Sequence, residues 1–290
     1  MAFIQRKLNV TFKLASGSFD EGGNQATFKG LRISSKITKA GGRSMSMAEL
    51  SIYGLTDSVT NKLSTLGMKV QFVQRNTITI EAGTDSGGFS TVFQGNVTNA
   101  YADRQNPPAN PFRITAHAGL YEAVNTSKAS SYNGSTDVAT VMSNLASQAG
   151  LQFENNDVKV QLSDPYFYGS ARNQIYECAA AAGINAIIDN GKLAIWNKNG
   201  ARKGQIPLIS KETGLVTAPA FTAQGIGFKT IFNPGIEFGK KIQMQSSIQT
   251  ANGIWAVYLL DYELDSNVPK GNWFCQVSAT NPNFAPAIGR

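Results

Sequence analysis

Two strand phrases, each broken by glycine and lying far apart, constrain the fold of this chain more than anything else in it. One runs Val92-Phe93-Gln94-Gly95-Asn96-Val97 and the other runs from Phe232 to Ile242 as FNPGIEFGKKI. Each is a short apolar strand interrupted where the backbone must turn or pass close to another strand. The convincingly helical part of the chain lies between them. A β-rich half, a helical insert and a second β-rich half therefore follow in order.

The alternation is clearest at the start. Leu8, Val10, Phe12 and Leu14 alternate with Lys7, Asn9, Thr11 and Lys13, the period of two that a half-buried strand needs. Gly17 to Asn24 reads as a loop, Phe28 to Thr38 as a second strand region and Gly41-Gly42 as a turn. Ala48, Leu50 and Ile52 alternate again, after which Thr56 or Asp57 can cap a short helix through Leu66 that stops at Gly67. Strands are expected at Met68–Gln74, Thr77–Ala82, Thr91–Tyr101 and Phe112–Ala116, the last two separated by the proline-rich loop ADRQNPPANP. So many short strands divided by turns imply a barrel or sandwich.

The middle changes period. Ser135 or Thr136 caps a helix whose stripe is Val138, Val141, Met142, Leu145 and Ala149, ended by Gly150. A second helix is expected over about 170–182, with Ile175, Cys178 and Ala182 on one face. Ala186–Ile188 and Leu193–Trp196 then form a hairpin around Asn190-Gly191, a pair suited to a tight type I′ turn. Strands return at Ile206–Ser210, Gly225–Phe232, Lys241–Ile248, Gly253–Glu263 and Trp273–Ala279, and the tail NPNFAPAIGR is expected to extend or fray. No solenoid period and no low-complexity linker appear. The chain divides into residues 1–116, a β domain; 117–203, an α/β insert; and 204–290, a second β domain. The fold class is mainly β with an α+β insert.

Chemistry is sparse. His117 is the only histidine, which removes HExxH and most multi-histidine metal sites. Its place at the end of an apolar strand suits a structural or surface role. No phosphate loop, dinucleotide fingerprint or GxSxG elbow is present, so no cofactor, no metal and no catalytic residue is expected. Asp261, Glu263 and Asp265 are the best carboxylate cluster, alternating with Leu260, Tyr262 and Leu264. In a strand all three share one face. That face reads first as a solvated surface, second as an acidic strip lining a water-filled passage, and third as a metal site. Tyr166-Phe167-Tyr168 is an aromatic cluster without interleaved arginine or lysine, which favours packing or a subunit contact over base stacking.

A net charge of +7 permits nucleic-acid contact, but Arg202-Lys203 and Lys240-Lys241 are the longest basic runs, and scattered charge is solvated surface. Cys178 and Cys275 are too few for a disulfide scaffold and read as reduced structural thiols. No apolar h-region follows the basic residues of the first twenty, and no stretch approaches a membrane span, so neither secretion nor membrane insertion is expected and assembly in a cytoplasm is.

Several segments, taken in order, resemble the baseplate hub proteins of contractile-tailed bacteriophages, including the phage Mu hub and late-control protein D relatives. They are AELSIYGLT (48–56), VQFVQ with TITIEAG and STVFQGNVTNAYAD (70–103), STDVATVMSNLASQAGL (135–151), AAAAGINAIIDNGKLAIW (179–196), GLVTAPAF with IFNPGIEFGKKIQMQS (214–246), and GIWAVYLLDYELDS with GNWFCQVSA (253–279). The resemblance implies two tail-tube-like antiparallel β-barrel or sandwich domains flanking the insert. It implies a homotrimeric, non-enzymatic virion protein joining a hexameric tail tube to a central spike, beside baseplate wedge or tape-measure proteins. DNA would pass without specific binding, and Asp261, Glu263 and Asp265 would face solvent or lumen. Spike and any cell-wall hydrolase would be separate chains, and closing the ring would cover strand edges. Three rivals stand beside it: a tail-tip or tube-adaptor protein of a related injection machine, a carbohydrate-binding or carbohydrate-cleaving β protein of the particle, and a direct DNA binder whose affinity would fall steeply with salt.

Overall fold

Strand β1 (Lys7–Lys13) sets the layer: Leu8, Val10 and Phe12 are buried on one face while Lys13 is exposed. The computed structural model describes residues 5–19, 22–64, 76–105 and 107–282. After β1 come β2 (Gln25–Phe28), β3 (Arg32–Lys39), β4 (Met47–Tyr53), helix α1 (Asp57–Leu63), β5 (Thr77–Thr84), β6 (Gly88–Ala102) and β7 (Phe112–His117). The strand expected over Phe28–Thr38 is two strands, because Gly30 at φ +70° turns the chain between them. Thr56 caps α1 by accepting the Val59 N–H at 3.4 Å. The helix stops at Leu63, short of Leu66, as Ser64 is extended at ψ 133°. Leu66, Gly67 and the strand expected at Met68–Gln74 lie outside the described residues, as does the tail beyond 282.

The insert follows as α2 (Leu120–Val124), β8 (Ser130–Ser131), β9 (Ser135–Asp137), α3 (Val138–Ala149), β10 (Gln152–Asn156), β11 (Gln161–Ser163), β12 (Tyr166–Phe167), α4 (Ala171–Ala182), β13 (Ile184–Asp189) and β14 (Lys192–Asn197). The cap of α3 is Asp137, not Ser135 or Thr136, because the helix starts at Val138 and the Asp137 carboxylate accepts the Thr140 N–H at 3.1 Å. Val138, Val141, Met142 and Leu145 are fully buried against α4, where Ile175 and Cys178 meet them in the insert's own core. Asn190 (φ 48°) and Gly191 (φ 73°) both take positive φ in the β13–β14 turn, as a type I′ hairpin requires.

The chain closes with β15 (Leu208–Ile209), β16 (Ala220–Thr222), β17 (Gly225–Ile231), β18 (Lys241–Met244), β19 (Gly253–Ser266) and β20 (Trp273–Thr280). Among the described residues one sheet of thirteen strands runs β16-β17-β20-β19-β3-β4-β7-β6-β5-β1-β2, with β18 beside the first part of β19 and β15 beside β18. Its centre is the antiparallel pairing of β19 with β3, from Leu260 opposite Lys39 to Ser266 opposite Ile33. One continuous hydrophobic core extends from Leu8 to Ala279 across that seam. The protein is mainly β, with a large, almost wholly antiparallel sheet and few helices.

The sheet holds one unit twice. The path β3-β4-β7-β6-β5 is repeated, in the same order and register, by β16-β17-β20-β19-β18. In the first, Ile37 faces Ala48, which faces Ala116; in the second, Phe221 faces Ile226, which faces Ala279. Ala100 faces Ile114 as Leu260 faces Val277, and Ile78 faces Gly95 as Ile242 faces Trp255. Both long strands carry a bulge at the matching place, Val97/Asn99 in β6 and Val257/Leu259 in β19.

Candidate functional site

The outer face of the duplicated sheet is the first candidate surface. Asp261, Glu263 and Asp265 lie on it, half-buried, and alternate with buried Leu260, Tyr262 and Leu264. Each acid has a partner. Asp261 accepts a hydrogen bond from the Thr38 hydroxyl at 2.6 Å, and Glu263 pairs with Lys229 at 3.2 Å. The Asp265 carboxylate accepts the Asn272 N–H at 2.7 Å, closing the turn between β19 and β20. Across the strands Glu263 faces Lys36, and Lys36 faces Glu49. Lys229 also sits 4.5 Å from the Phe274 ring centroid and Arg32 lies 4.4 Å from that of Tyr53. The acids thus form part of a row of alternating charge. Among the described residues no group of three or more His, Cys, Asp or Glu side chains could hold a metal ion.

The second surface is the junction that locks the insert to the sheet. Lys39 occupies a core position of β3, two residues on from Ile37, and is 2% exposed. Its ammonium reaches the Asp189 carboxylate at 2.5 Å and the Asn190 side-chain oxygen at 3.0 Å, both in the β13–β14 turn. Burial pushes the Lys39 pKa down, against the opposing pull of Asp189. At the same junction Arg202 grips Glu154 with two hydrogen bonds of 2.9 Å and donates to the Phe238 carbonyl at 3.0 Å. Burial alone would raise the Glu154 pKa, but Arg202 brings it down to about 2. Trp196 meets Phe238 edge-on at 6.3 Å, inside a small apolar cluster with Ile187 and Ala194. Arg172 donates to the carbonyls of Arg43 and Ser44 at 2.8 and 3.2 Å. A cavity of about 450 Å³ remains where Lys39, Thr91, Gln94, Asn190 and Glu237 come together.

The sequence pattern does not mark these locks. Lys39 offered a signal, since the alternation Ile33, Ser35, Ile37, Lys39 sets a lysine on the core face. Arg202 and Glu154 offered none, being ordinary charges in a linker and a short strand.

The remaining candidates lie apart. His117 is half-buried at the end of β7, its Nδ1 3.3 Å from the Thr98 hydroxyl, and burial lowers its pKa. Burial pushes the Cys178 and Cys275 thiols up to about 12, far from a reactive thiolate. Phe167 is buried in the insert core, whereas Tyr166 and Tyr168 are exposed and stacked with ring centroids 6.1 Å apart. No helix of the described residues is long and apolar enough to cross a membrane.

A family model described as "Baseplate hub gp41" matches residues 7–276. The chain belongs to the baseplate hub gp41 family. No curated protein sequence matches it. Solved structures show where the fold recurs. A tail protein from Neisseria meningitidis MC58 aligns with a TM-score of 0.61 at 9% identity, over 97% of this chain and 99% of that one. The prophage MuSo2 43 kDa tail protein from Shewanella oneidensis aligns at 0.60 and 11% identity, over 97% and 100%. The Escherichia coli c3393 protein, described as a type VI secretion component structurally similar to T4 tail proteins gp27 and gp5, aligns at 0.59 and 8% identity, over 89% and 77%. At these identities the likeness is one of fold. This baseplate hub family member is a structural component of a phage tail.

Proposed function

We propose that this baseplate hub works as a homotrimer that joins a hexameric tail tube to a central spike. The duplicated five-strand unit carries the reading. One chain presents two equivalent units side by side, joined by the β3–β19 seam. Three chains in a ring present six, and a ring of six units on a three-fold frame meets a six-fold tube on one side and a three-fold spike on the other. Residues 1–116 and 204–290 are the two tube-like domains, and 117–203 is the insert that contacts other baseplate or tape-measure proteins. The Lys39–Asp189 and Arg202–Glu154 locks suit that task, since they hold the insert at a fixed angle to the sheet. The protein has no catalytic role, is assembled in the host cytoplasm and ends in the virion, where DNA passes without specific binding. The charge-compensated outer face supports this last point, because it offers DNA neither a basic track nor an acidic barrier.

Light scattering of the purified protein, alone and with its spike partner, tests the reading. The expected mass is that of three chains in at least one of the two samples. A monomer in both, at micromolar concentration, overturns it.

A further inference from the structure

The lysine that locks the insert to the sheet stands among groups that could react with it. Lys39 ends β3 with 2% of its surface exposed, and its ammonium lies 2.5 Å from the Asp189 carboxylate and 3.0 Å from the Asn190 amide oxygen. Asp189 and Asn190 are consecutive at the β13–β14 turn, where Asn190 holds a φ of 48°. The Asn190 side-chain nitrogen donates weakly to the Thr91 carbonyl at 3.5 Å, which leaves the carbonyl end of the amide towards Lys39. Around the amine the walls are aromatic. The Phe93 ring centroid is 5.5 Å away, and buried Phe238 and Tyr262 line the same cavity.

A primary amine, a carboxylate able to take its proton and a carboxamide are the components of an amide exchange. Burial pushes the Lys39 pKa down, against the pull of Asp189, and so brings the neutral, nucleophilic amine within reach. Passing one proton from the ammonium to Asp189 replaces a buried ion pair by a neutral pair, which a site shielded from water tolerates better. Contact between amine and amide makes the reaction intramolecular, where free side chains would not react. Asp189 itself is a poorer acyl group. An amide formed from it must expel water with help from a second acid, and Glu237, the other carboxylate lining the cavity, is already held by Lys240 at 2.7 Å. The cavity of about 450 Å³ beside the three groups gives an expelled ammonium a way out.

We propose that Lys39 and Asn190 form an intramolecular isopeptide bond once the chain has folded. Asp189 takes a proton from the Lys39 ammonium, and the freed Nζ lone pair attacks Cγ of Asn190. The Cγ–Nδ2 bond then breaks and the new Nζ–Cγ bond remains as an amide. The leaving nitrogen collects the proton held by Asp189 and one more from Nζ and departs as ammonium, which returns Asp189 to its ionised form. Nothing is oxidised or reduced, and no further reactant is consumed. The bond joins residues 151 apart in the chain and makes the lock between insert and sheet permanent. It does not depend on the homotrimer reading, and either can fail without the other.

Mass spectrometry of the purified, folded chain tests it. The intact mass is expected to fall below that of the sequence by one ammonia. Asn190 could also lose ammonia by closing on the backbone of Gly191, so the linkage itself is read after trypsin. The isopeptide joins fragment 37–43, uncut after Lys39, to fragment 173–192, whereas a ring closed on Gly191 leaves the two fragments separate. Lys39→Met and Asp189→Ala are each expected to keep the full sequence mass and to give no joined fragment. Separate fragments from the folded wild-type chain overturn the proposal, and that result needs no variant to fold. A joined fragment lighter by water instead of ammonia overturns the choice of Asn190. A joined fragment from Asp189→Ala overturns the part given to Asp189.

Discussion

Lys39 and Glu154 are charged side chains drawn out of water, and each is held by a partner on another element. Removing one member of such a pair leaves the other without compensation, so both act more as fixers of geometry than as sources of net stability. Glu154 makes the point measurable. Its folded pKa, about 2, lies below the ordinary 4.5, so its ionised form stabilises the folded chain fully above pH 4.5. That contribution is lost as the pH falls from 4.5 towards 2. Urea denaturation across this interval is expected to show falling stability, with a flatter profile for Glu154→Gln. Identical profiles for the two proteins would remove the Arg202 pair from the account. At the same scale the sequence was only partly legible. Alternation places Leu8, Val10 and Phe12 in the core, but charge taken as solvated surface misses a buried lysine whose partner, Asp189, lies far along the chain.

Among the elements, the insert hairpin is where local chemistry decides most. Gly191 takes φ 73°, and a Cβ built there would lie 3.0 Å from the Gln94 side-chain oxygen. Gly191→Val is expected to lower stability by on the order of 1–2 kcal/mol through positive-φ strain, read as a shifted denaturation midpoint. An unchanged midpoint would mean that the turn relaxes freely. The acidic strand behaves differently, because its partners tolerate amides. Thr38 and the Asn272 N–H donate to oxygens that Asn retains, and the Lys229 pair is partly exposed and worth about 1 kcal/mol or less. The triple variant Asp261→Asn/Glu263→Gln/Asp265→Asn is therefore expected to fold and assemble, with circular dichroism and mass unchanged; failure of either would make the acids structural. Hairpins, caps and helix stripes were legible because their signals span few residues. The short strands β8, β9, β11 and β12 were not, since two or three residues carry no period. Asp137 displaced Ser135 and Thr136 as cap for the same reason.

For the whole molecule, the duplication was invisible in the sequence although its two halves agree in register. Ala116 and Ala279 match, as do Ile78 and Ile242, but most equivalent positions share only apolar or polar character. A pattern of alternation is common to all half-buried strands and cannot mark two of them as copies. Pairing between β3 and β19 was hidden too, because register between distant strands leaves no local trace. Function was more accessible, through the order of weak motifs rather than any one of them. With one half-buried histidine and two inert thiols, a cell-wall zymogram of the purified protein is expected to show no clearing. Clear zones that vanish when a carboxylate is replaced would assign it an enzymatic role after all.

The β3–β19 seam also sets an order in time. Residues 32–39 leave the ribosome long before residues 260–266, so the central pairing of the sheet waits for almost the whole chain to be made. Until then the N-terminal unit carries an unfinished edge, and long-range pairing of this kind is slow to form. A chain cut short before β19 would lack the strand that completes its own sheet. Only finished chains would carry both units in their joined form, so the fold itself screens incomplete subunits out of the particle.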